Sequence, residues 1–204
     1  MEDTLKTALI VLGSYLLGAF PSSYIMGRVL KGIDLREHGS GNLGAANTFR
    51  VLGPAAAIPV LLLDIGKGYL AVKLAVHYGG SSSLLILITA LIAILGHNYS
   101  IFVRFSGGKG VGTTAGVFLA MAPVAVGIGF VVWGLMVGIF RIVSLASMIS
   151  ALTLPLNILL VNRYLGGTTN THILILSVLV AALVVYKHRS NIRRLREGTE
   201  PRIF

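Results

Sequence analysis

The sequence predicts an all-α, polytopic integral membrane protein with seven transmembrane helices, its N-terminus outside and its C-terminus on the cytoplasmic side. Composition indicates the membrane: 55% of the 204 residues are apolar, mean hydropathy is +0.86 and only 12% are charged. A spanning helix needs about 20 apolar residues, so this length accommodates about six or seven helices and no soluble domain. Residues 1–204 are therefore expected to form a single transmembrane domain.

Six apolar stretches supply these helices, and five of them have the length of one span. They run from about residue 5 to 26, 54 to 77, 84 to 103, 111 to 140, 142 to 161 and 172 to 186. The first lacks the basic flank of a removable signal peptide and is expected to be retained. The fourth contains Pro123, so it is either one kinked helix or two helices that meet at Ala122 and Pro123.

The basic residues favour two helices in the fourth stretch, because short loops rich in Lys and Arg stay in the cytoplasm. Basic segments follow the first, third, fourth and last apolar stretches. One helix would put the basic tail opposite the first loop, whereas two helices put all four segments on one side. The loops on the other side, near 77–83 and 162–171, then contain only Arg163. This arrangement gives seven helices.

Composition also excludes several kinds of chemistry. The chain has no cysteine, which rules out disulfides, thiolate metal sites and cysteine nucleophiles. The net charge of +10 is explained by orientation and anionic lipid headgroups rather than by nucleic acid. Acidic residues in the loops are scarce, so paired-carboxylate metal chemistry and glycosidase-type acid and base pairs are poorly supported.

Two glycine-rich segments precede apolar helices and suit phosphate. Glycines let successive backbone N–H groups converge on an anion near a helix N-terminus. In the segment 38–50, Arg50 adds a guanidinium, although a flexible polar loop that caps the helix would look similar. The segment 106–114 places Lys109 among glycines but is not a Walker A loop, because Val103 and Gly110 occupy positions that the motif requires. The alternative interpretation of this segment is that Lys109 only marks the cytoplasmic side of the membrane and that the glycines only allow helices to pack closely.

Two further polar groups occur where helices meet the cytoplasm. In the tail, helical spacing puts His188 and Asn191 on one face, and Asn191 with Arg194. Ser144 lies one turn from Arg141 and is a candidate donor to phosphate, whereas Ser147 is expected to pack between helices. Arg193, Arg196 and Arg202 of the tail are interpreted as headgroup anchors.

Ionisable residues also occur inside the apolar stretches, where they are expensive and commonly functional. Asp64 and Lys67 are one turn apart in the second stretch and can neutralise each other. We expect this pair to be structural support for the loop above it. His97 and Asn98 lie near the end of the third stretch.

Four motifs occur in order along the chain: Ser40-Gly41-Asn42-x-Gly44-Ala45-x-Asn47, Gly107-Gly108-Lys109-Gly110-Val111, Val143-Ser144-Leu145-Ala146-Ser147 and His188-Arg189-x-Asn191-Ile192-x-Arg194-Leu195. In this combination the chain resembles the PlsY family, bacterial integral-membrane acyl-phosphate:glycerol-3-phosphate acyltransferases. The resemblance implies transfer of a fatty acyl group from acyl phosphate to the 1-hydroxyl of glycerol-3-phosphate, which yields lysophosphatidic acid and phosphate in the first acylation step of phospholipid biosynthesis.

The resemblance also implies where the substrates bind, at a site facing the cytoplasm from the bacterial inner membrane. For acyl phosphate, the implied residues are Ser40, Gly41, Asn42, Gly44, Ala45 and Asn47. For glycerol-3-phosphate, they are Arg50, Lys109, Ser144, His188 and Asn191. Of these, Asn191, His188 and Lys109 are the expected catalytic residues, with Asn191 next to the attacking hydroxyl. No nucleotide, acyl-CoA, acyl carrier protein, metal or other cofactor is expected, no protein partner is implied, and a monomer surrounded by membrane lipids is expected.

The mechanism and two other functions stay open at this point. Acyl phosphate has a good leaving group, so positioning and fixed charges can lower the barrier while a substrate phosphate takes the hydroxyl proton. His188 is the rival base. An anion or lysolipid transporter would also use glycine-broken helices, but it places its site near the midplane and often has repeats, which this chain lacks. A noncatalytic lipid-binding scaffold leaves the glycine segments unexplained.

Overall fold

The computed structural model describes residues 2–80, 82–167 and 169–203, which form ten α-helices, one 3-10 turn and no β-strand. The helices are α1 (Glu2–Ala19), α2 (Ser22–Lys31), α3 (Ala45–Leu52), α4 (Pro54–Gly79), α5 (Ser83–Asn98), α6 (Val111–Met121), α7 (Pro123–Phe140), α8 (Val143–Tyr164), α9 (Thr171–Lys187) and α10 (Arg189–Arg196), with the 3-10 turn at Ile101–Val103. The all-α prediction is confirmed.

Prolines set the helix breaks within two of the apolar stretches. The fourth stretch is two helices, because Ala122 leaves the helical conformation and α7 begins at Pro123. Proline suits a first helical position, where its missing N–H has no partner to lose. The first stretch is likewise interrupted at Phe20 and Pro21, between α1 and α2. This second break was not predicted.

Five segments of the described chain are long and apolar enough to cross a membrane. They are Asp3–Lys31, Pro54–Gly79, Ser83–Val103, Pro123–Phe140 and Val143–Tyr164. Helices α9 and α10 together make a sixth candidate, bent by 57°. Helix α6 is apolar, but its 11 residues extend only about 16 Å against a hydrocarbon core of about 30 Å. The structure therefore supports five or six spans, and seven spans stay a prediction.

The described chain divides into two compact units, Met1–Ala120 and Met121–Phe204. In the first unit, helices approach closely where glycine leaves room. A Cβ on Gly18 of α1 would overlap the backbone of Ala93 in α5. A Cβ on Gly68 of α4 would overlap the Thr113 carbonyl of α6. Small residues at such crossings are typical of membrane helices, because van der Waals contact between backbones replaces the hydrophobic driving force.

In the second unit, α8 packs against α7 and α9, and polar side chains bond across the α7–α8 contact. Ser150 Oγ donates to the Gly129 carbonyl at 2.8 Å, and Trp133 Nε1 donates to Ser147 Oγ at 3.3 Å. Ser147 is 5% exposed, so it lies between the helices as the sequence predicted. These bonds satisfy polar groups inside an apolar layer.

Candidate functional site

The loop between α2 and α3 is organised around Asp34, whose side chain is 4% exposed. Its carboxylate accepts hydrogen bonds from the Arg36 backbone N–H at 3.0 Å and from Arg36 Nη2 at 2.6 Å. Arg36 Nη1 also donates to the Val103 carbonyl at 3.2 Å, which ties this loop to the 3-10 turn. The bonds from Arg36 lower the pKa of the Asp34 carboxyl, against the effect of burial. The loop therefore has an ionised, paired anchor at its base.

Asn47 holds the following glycine turn from inside. Its Nδ2 donates to the carbonyls of Leu35 at 3.1 Å and His38 at 3.0 Å, and its Oδ1 accepts from the Ser40 N–H at 2.8 Å. A Cβ on Gly39, whose φ is 62°, would overlap Asn47 Oδ1. In this structure Asn47 therefore acts on the loop backbone, and its direct contact with acyl phosphate stays a prediction.

The other predicted acyl-phosphate residues lie around the start of α3. Ser40 and Gly41 are exposed, and Gly44 is the extended residue that precedes α3. The predicted residues Asn42, Gly44 and Ala45 are partly exposed. A helix start with a polar turn before it suits an anion, because the first backbone N–H groups lack partners within the helix. Arg50 is exposed in the last turn of α3.

The second glycine loop packs against the first one. The Gly108 N–H donates to the His97 carbonyl at 3.0 Å. A Cβ on Gly108 would overlap His97 Nε2 and would lie 2.5 Å from the Leu43 carbonyl oxygen of the first loop. Lys109 follows directly and is half-buried. The structure thus brings the two glycine loops of the first unit into contact, with Lys109 at that place.

A small pocket that is open to solvent lies beside this contact. It is lined by Ser22, Leu43, Lys67, His97, Gly107 and Gly108, among others. Both glycine loops and the buried Lys67 therefore border the same space. The sequence pointed to the glycines and to the Asp64–Lys67 pair as support for a loop, but it did not point to His97 as their neighbour.

In the second unit, three predicted or suspected donors converge on Glu200, which the sequence analysis did not single out. Ser144 Oγ donates to Glu200 Oε1 at 2.6 Å, and Asn191 Nδ2 donates to the same oxygen at 2.5 Å. Arg194 Nε donates to Glu200 Oε2 at 2.7 Å. The Glu200 side chain is 4% exposed. These donors therefore form a buried site that binds an oxyanion, occupied here by the chain's own carboxylate.

The tail reaches this position because it folds back after α10. The Thr199 N–H donates to the Arg194 carbonyl at 2.8 Å, and Gly198 has the left-handed φ of 68°. The Ile203 N–H then donates to the Arg141 carbonyl at 2.8 Å, at the turn between α7 and α8. Glu200 thereby joins α8 to α10. No periodic pattern reveals such a contact, because an irregular turn makes it.

His188 is 3% exposed at the junction of α9 and α10. Its Nδ1 lies 2.8 Å from the Val184 carbonyl oxygen, which can only accept, so Nδ1 carries the proton. The neutral ring then has its lone pair on Nε2. The geometry therefore orients His188 as a ring that could accept a proton at Nε2.

The predicted site residues divide between the two units. Ser40, Gly41, Asn42, Gly44, Ala45, Asn47, Arg50 and Lys109 belong to the first, and Ser144, His188 and Asn191 belong to the second. Within the first unit Gly108, next to Lys109, lies against Leu43 of the first loop, and within the second Glu200 joins Ser144 and Asn191. Together with the apolar helices, these features define an integral membrane protein whose polar clusters at helix ends suit oxyanions.

Comparison with known proteins identifies the family. The family model described as glycerol-3-phosphate acyltransferase matches residues 8–198. A glycerol-3-phosphate acyltransferase of Desulforamulus reducens is 42% identical over 199 residues, which are 98% of this chain and 96% of that protein. One from Staphylococcus aureus is 41% identical over 201 residues, or 95% of this chain and 96% of that protein.

Two solved structures agree. Both are crystal structures of PlsY (YgiH), an integral membrane glycerol 3-phosphate acyltransferase. The glycerol 3-phosphate form matches with a TM-score of 0.86 and 37% identity, and the lysophosphatidic acid form with 0.83 and 35%. Each match covers 96% of this chain and 94% of the other. The chain therefore belongs to the glycerol-3-phosphate acyltransferase family, and its resemblance to PlsY is confirmed.

Replacing Glu200 by glutamine is expected to lower the free energy of unfolding by about 2 kcal/mol at neutral pH, because charge-assisted hydrogen bonds are lost and the amide N–H₂ would face a donor in either orientation, Arg194 on one side or Ser144 and Asn191 on the other. Burial alone would raise the pKa of Glu200, but the bonds from Ser144, Asn191 and Arg194 outweigh it and lower the pKa below the usual 4.5. A depressed pKa stabilises the fold above the unfolded value, and this stabilisation disappears as pH falls through the folded value. Thermal unfolding in detergent at several pH values measures it.

The matched control is Glu197→Gln, three residues earlier. Glu197 is 54% exposed and lies 3.9 Å from Arg193, so its loss should change stability by less than about 1 kcal/mol. Equal melting temperatures for the Glu200 and Glu197 variants at neutral pH would contradict the role assigned to Glu200.

Proposed function

We propose that this acyltransferase uses acyl phosphate as its donor and acylates the 1-hydroxyl of sn-glycerol-3-phosphate. The hydroxyl oxygen attacks the carbonyl carbon, the bond from that carbon to the phosphate oxygen breaks, and the products are lysophosphatidic acid and inorganic phosphate. This is the first acylation step of phospholipid biosynthesis. The observation that carries the proposal is the convergence of Ser144, Asn191 and Arg194 on a carboxylate, because donors placed to bind one oxyanion suit the phosphate of the acceptor.

An acyl phosphate donor fits the chemistry of these residues. The two glycine loops of the first unit lead into the starts of α3 and α6, where the helix dipole favours an anion, and Lys109 lies between Gly108 and Gly110. Phosphate is a good leaving group, so fixed donors and correct positioning can supply most of the rate enhancement. Thioester donors would not need a cradle of this kind beside the acyl group. No nucleotide, metal or other cofactor enters this reaction.

The proposal gives each predicted residue a role. Acyl phosphate is bound by the first loop, at Ser40, Gly41, Asn42, Gly44 and Ala45, with Asn47 holding that loop in shape. Glycerol-3-phosphate is bound by Arg50, Lys109, Ser144, His188 and Asn191. The catalytic residues are Asn191, His188 and Lys109, which touch the reacting groups or their phosphates.

Glu200 limits what its partners can do. Asn191 Nδ2 donates to the Glu200 carboxylate, so the proposal assigns the other polar atom of the amide, Oδ1, as the acceptor of a hydrogen bond from the 1-hydroxyl. Ser144 donates its only hydroxyl proton to Glu200. A substrate phosphate that accepts the hydrogen bond from Ser144 must therefore displace the Glu200 oxygen.

An assay of the purified protein tests the donor. With palmitoyl phosphate and labelled glycerol-3-phosphate, we expect lysophosphatidic acid and inorganic phosphate in equal amounts, and with acyl-CoA we expect neither. Lys109→Ala should reduce turnover by about 100-fold or more, because a fixed cation on a substrate phosphate is removed. The control is Arg163→Ala, since Arg163 is exposed at the end of α8. Product from acyl-CoA alone would overturn the proposed donor.

A second assay identifies the base. In the proposed route a substrate phosphate accepts the hydroxyl proton, since the loops offer cations and amides but no convincing carboxylate base. His188→Ala should then raise KM for glycerol-3-phosphate and leave the pH profile of kcat unchanged. Unchanged affinity with lost turnover and a lost pH dependence would assign the base to His188 instead, through Nε2.

The proposal includes the topology, with seven helices, the N-terminus outside and a monomeric protein whose site faces the cytoplasm from the bacterial inner membrane. The chain has no cysteine, so single cysteines can be labelled without background. Exposed serines serve as positions: Ser106 in the second glycine loop, Ser190 in α10, and Ser83 at the start of α5. An impermeant maleimide should reach Ser106→Cys and Ser190→Cys only in inside-out vesicles, and Ser83→Cys only in right-side-out vesicles. Labelling of the first two from opposite sides would make the proposed site impossible.

A further inference from the structure

Helices α4 and α5 of the first unit contain a buried polar network that the proposed reaction does not use. Asp64 and Lys67 of α4 are 3% and 5% exposed, and His97 of α5 is 7% exposed. Lys67 Nζ lies 2.8 Å from Asp64 Oδ1 and 2.8 Å from His97 Nδ1. It also donates to the Phe20 carbonyl, at 2.9 Å, where α1 breaks before α2. Ser22 Oγ adds a hydrogen bond of 2.7 Å to Asp64 Oδ1.

This arrangement determines the state of His97. An ammonium group has three protons and no lone pair, and Lys67 has three acceptors around it: a carboxylate, a carbonyl and an imidazole nitrogen. Beside an ammonium, His97 Nδ1 accepts and the proton of the neutral ring is on Nε2; the same Nδ1 also lies 3.6 Å from Asp64 Oδ1. Both the tautomer and the plane of the ring follow from Lys67, and Lys67 is held in turn by Asp64.

The other ring nitrogen of His97, Nε2, contacts the second glycine loop. A Cβ on Gly108 would overlap His97 Nε2, and a Cβ on Gly107 would overlap the His97 carbonyl oxygen. The Gly108 N–H also donates to that carbonyl at 3.0 Å. Side chain and backbone of His97 thus contact two consecutive glycines immediately before Lys109. A rotation of the ring would move the loop that contains this lysine.

Stability alone does not explain the network. Burying an ion pair has a desolvation penalty that commonly equals or exceeds the attraction, so apolar residues of similar volume would serve the fold as well. What apolar residues cannot supply is a fixed imidazole orientation. Asp64 and Lys67 are therefore expected to influence the geometry of the second glycine loop, which His97 contacts at Gly107 and Gly108.

We infer that Asp64 and Lys67 fix the His97 ring as a positioning residue for the Gly107–Gly110 loop, and so set the place at which Lys109 meets a substrate phosphate. The last step rests on the proposed role of Lys109. The network acts through the loop backbone and takes no part in the chemistry. Lys67 is buried within the membrane layer, yet its effect is exerted at the surface loop through one aromatic ring.

The first test removes the network without leaving a buried charge unpaired. In the double variant Asp64→Asn, Lys67→Met, hydrogen exchange of the amides of residues 106–112 should accelerate by about tenfold, while the amides of α4 and α5 remain as in the wild type. KM for glycerol-3-phosphate should rise by about tenfold and kcat should change by less than about threefold. Uniform acceleration through both helices would show a merely structural role and overturn the inference.

A second variant keeps the inference testable if the double variant does not fold. His97→Asn retains an acceptor for Lys67 close to the Nδ1 position, but it lacks the part of the ring that contacts Gly108. It should loosen residues 106–112 as strongly as the double variant does. The matched control is Thr89→Val, which removes a buried hydroxyl about two turns earlier on α5 that donates to carbonyls of its own helix, at Leu85 and Ile86. Loop exchange and KM equal to those of this control would overturn the inference.

Hydrogen exchange also separates this inference from the proposed function. A wild-type protein that is inactive with palmitoyl phosphate would refute the proposed donor, while faster loop exchange in both variants would still support the role of His97. An active wild-type protein whose loop is unaffected in both variants would refute the inference and leave the proposed donor intact.

Discussion

Contact between a glycine backbone and a buried helix end is the constraint on which the site in the first unit depends. Gly108 fits between His97 of α5 and Leu43 of the first loop only because it has no side chain. The packing of apolar helices does not by itself fix the positions of the polar loops, because lipid offers their backbone groups no hydrogen-bond partners. The close approach supplies that place, because it fixes the residue before Lys109 against the first loop, whose turn Asn47 holds together.

A carboxylate plays the corresponding part in the second unit. Glu200 accepts hydrogen bonds from α8 and α10 at once and thereby sets the orientation of the Asn191 amide. Both units thus use a buried ionisable group to orient a neutral side chain: Lys67 orients His97, and Glu200 orients Asn191. Charged groups are expensive in these surroundings, so each is surrounded by bonded partners.

Several features of the site were readable from the sequence because they are local. The glycine segments and Lys109 stand together along the chain, and Asn191 and Arg194 share a helix face at a spacing of three residues. The structure confirms the shared face, since both bond to Glu200. Glu200 itself was missed because it lies 56 residues from Ser144 and follows an irregular turn. His97 was noticed only as an intramembrane residue, since its partner Lys67 is 30 residues away.

The sequence by itself determined that this chain forms apolar helices in a membrane, and that the fourth stretch divides at Pro123, because hydropathy and proline act within a few residues of where they stand. It also marked the family through four motifs. Tertiary structure decided which polar groups meet: Asp34 with Arg36 and Val103, Lys67 with His97, and Glu200 with Ser144. Such contacts depend on how closely helix backbones approach each other and on how loops fold back. Neither can be derived from local sequence patterns, because most of the residues concerned are far apart along the chain.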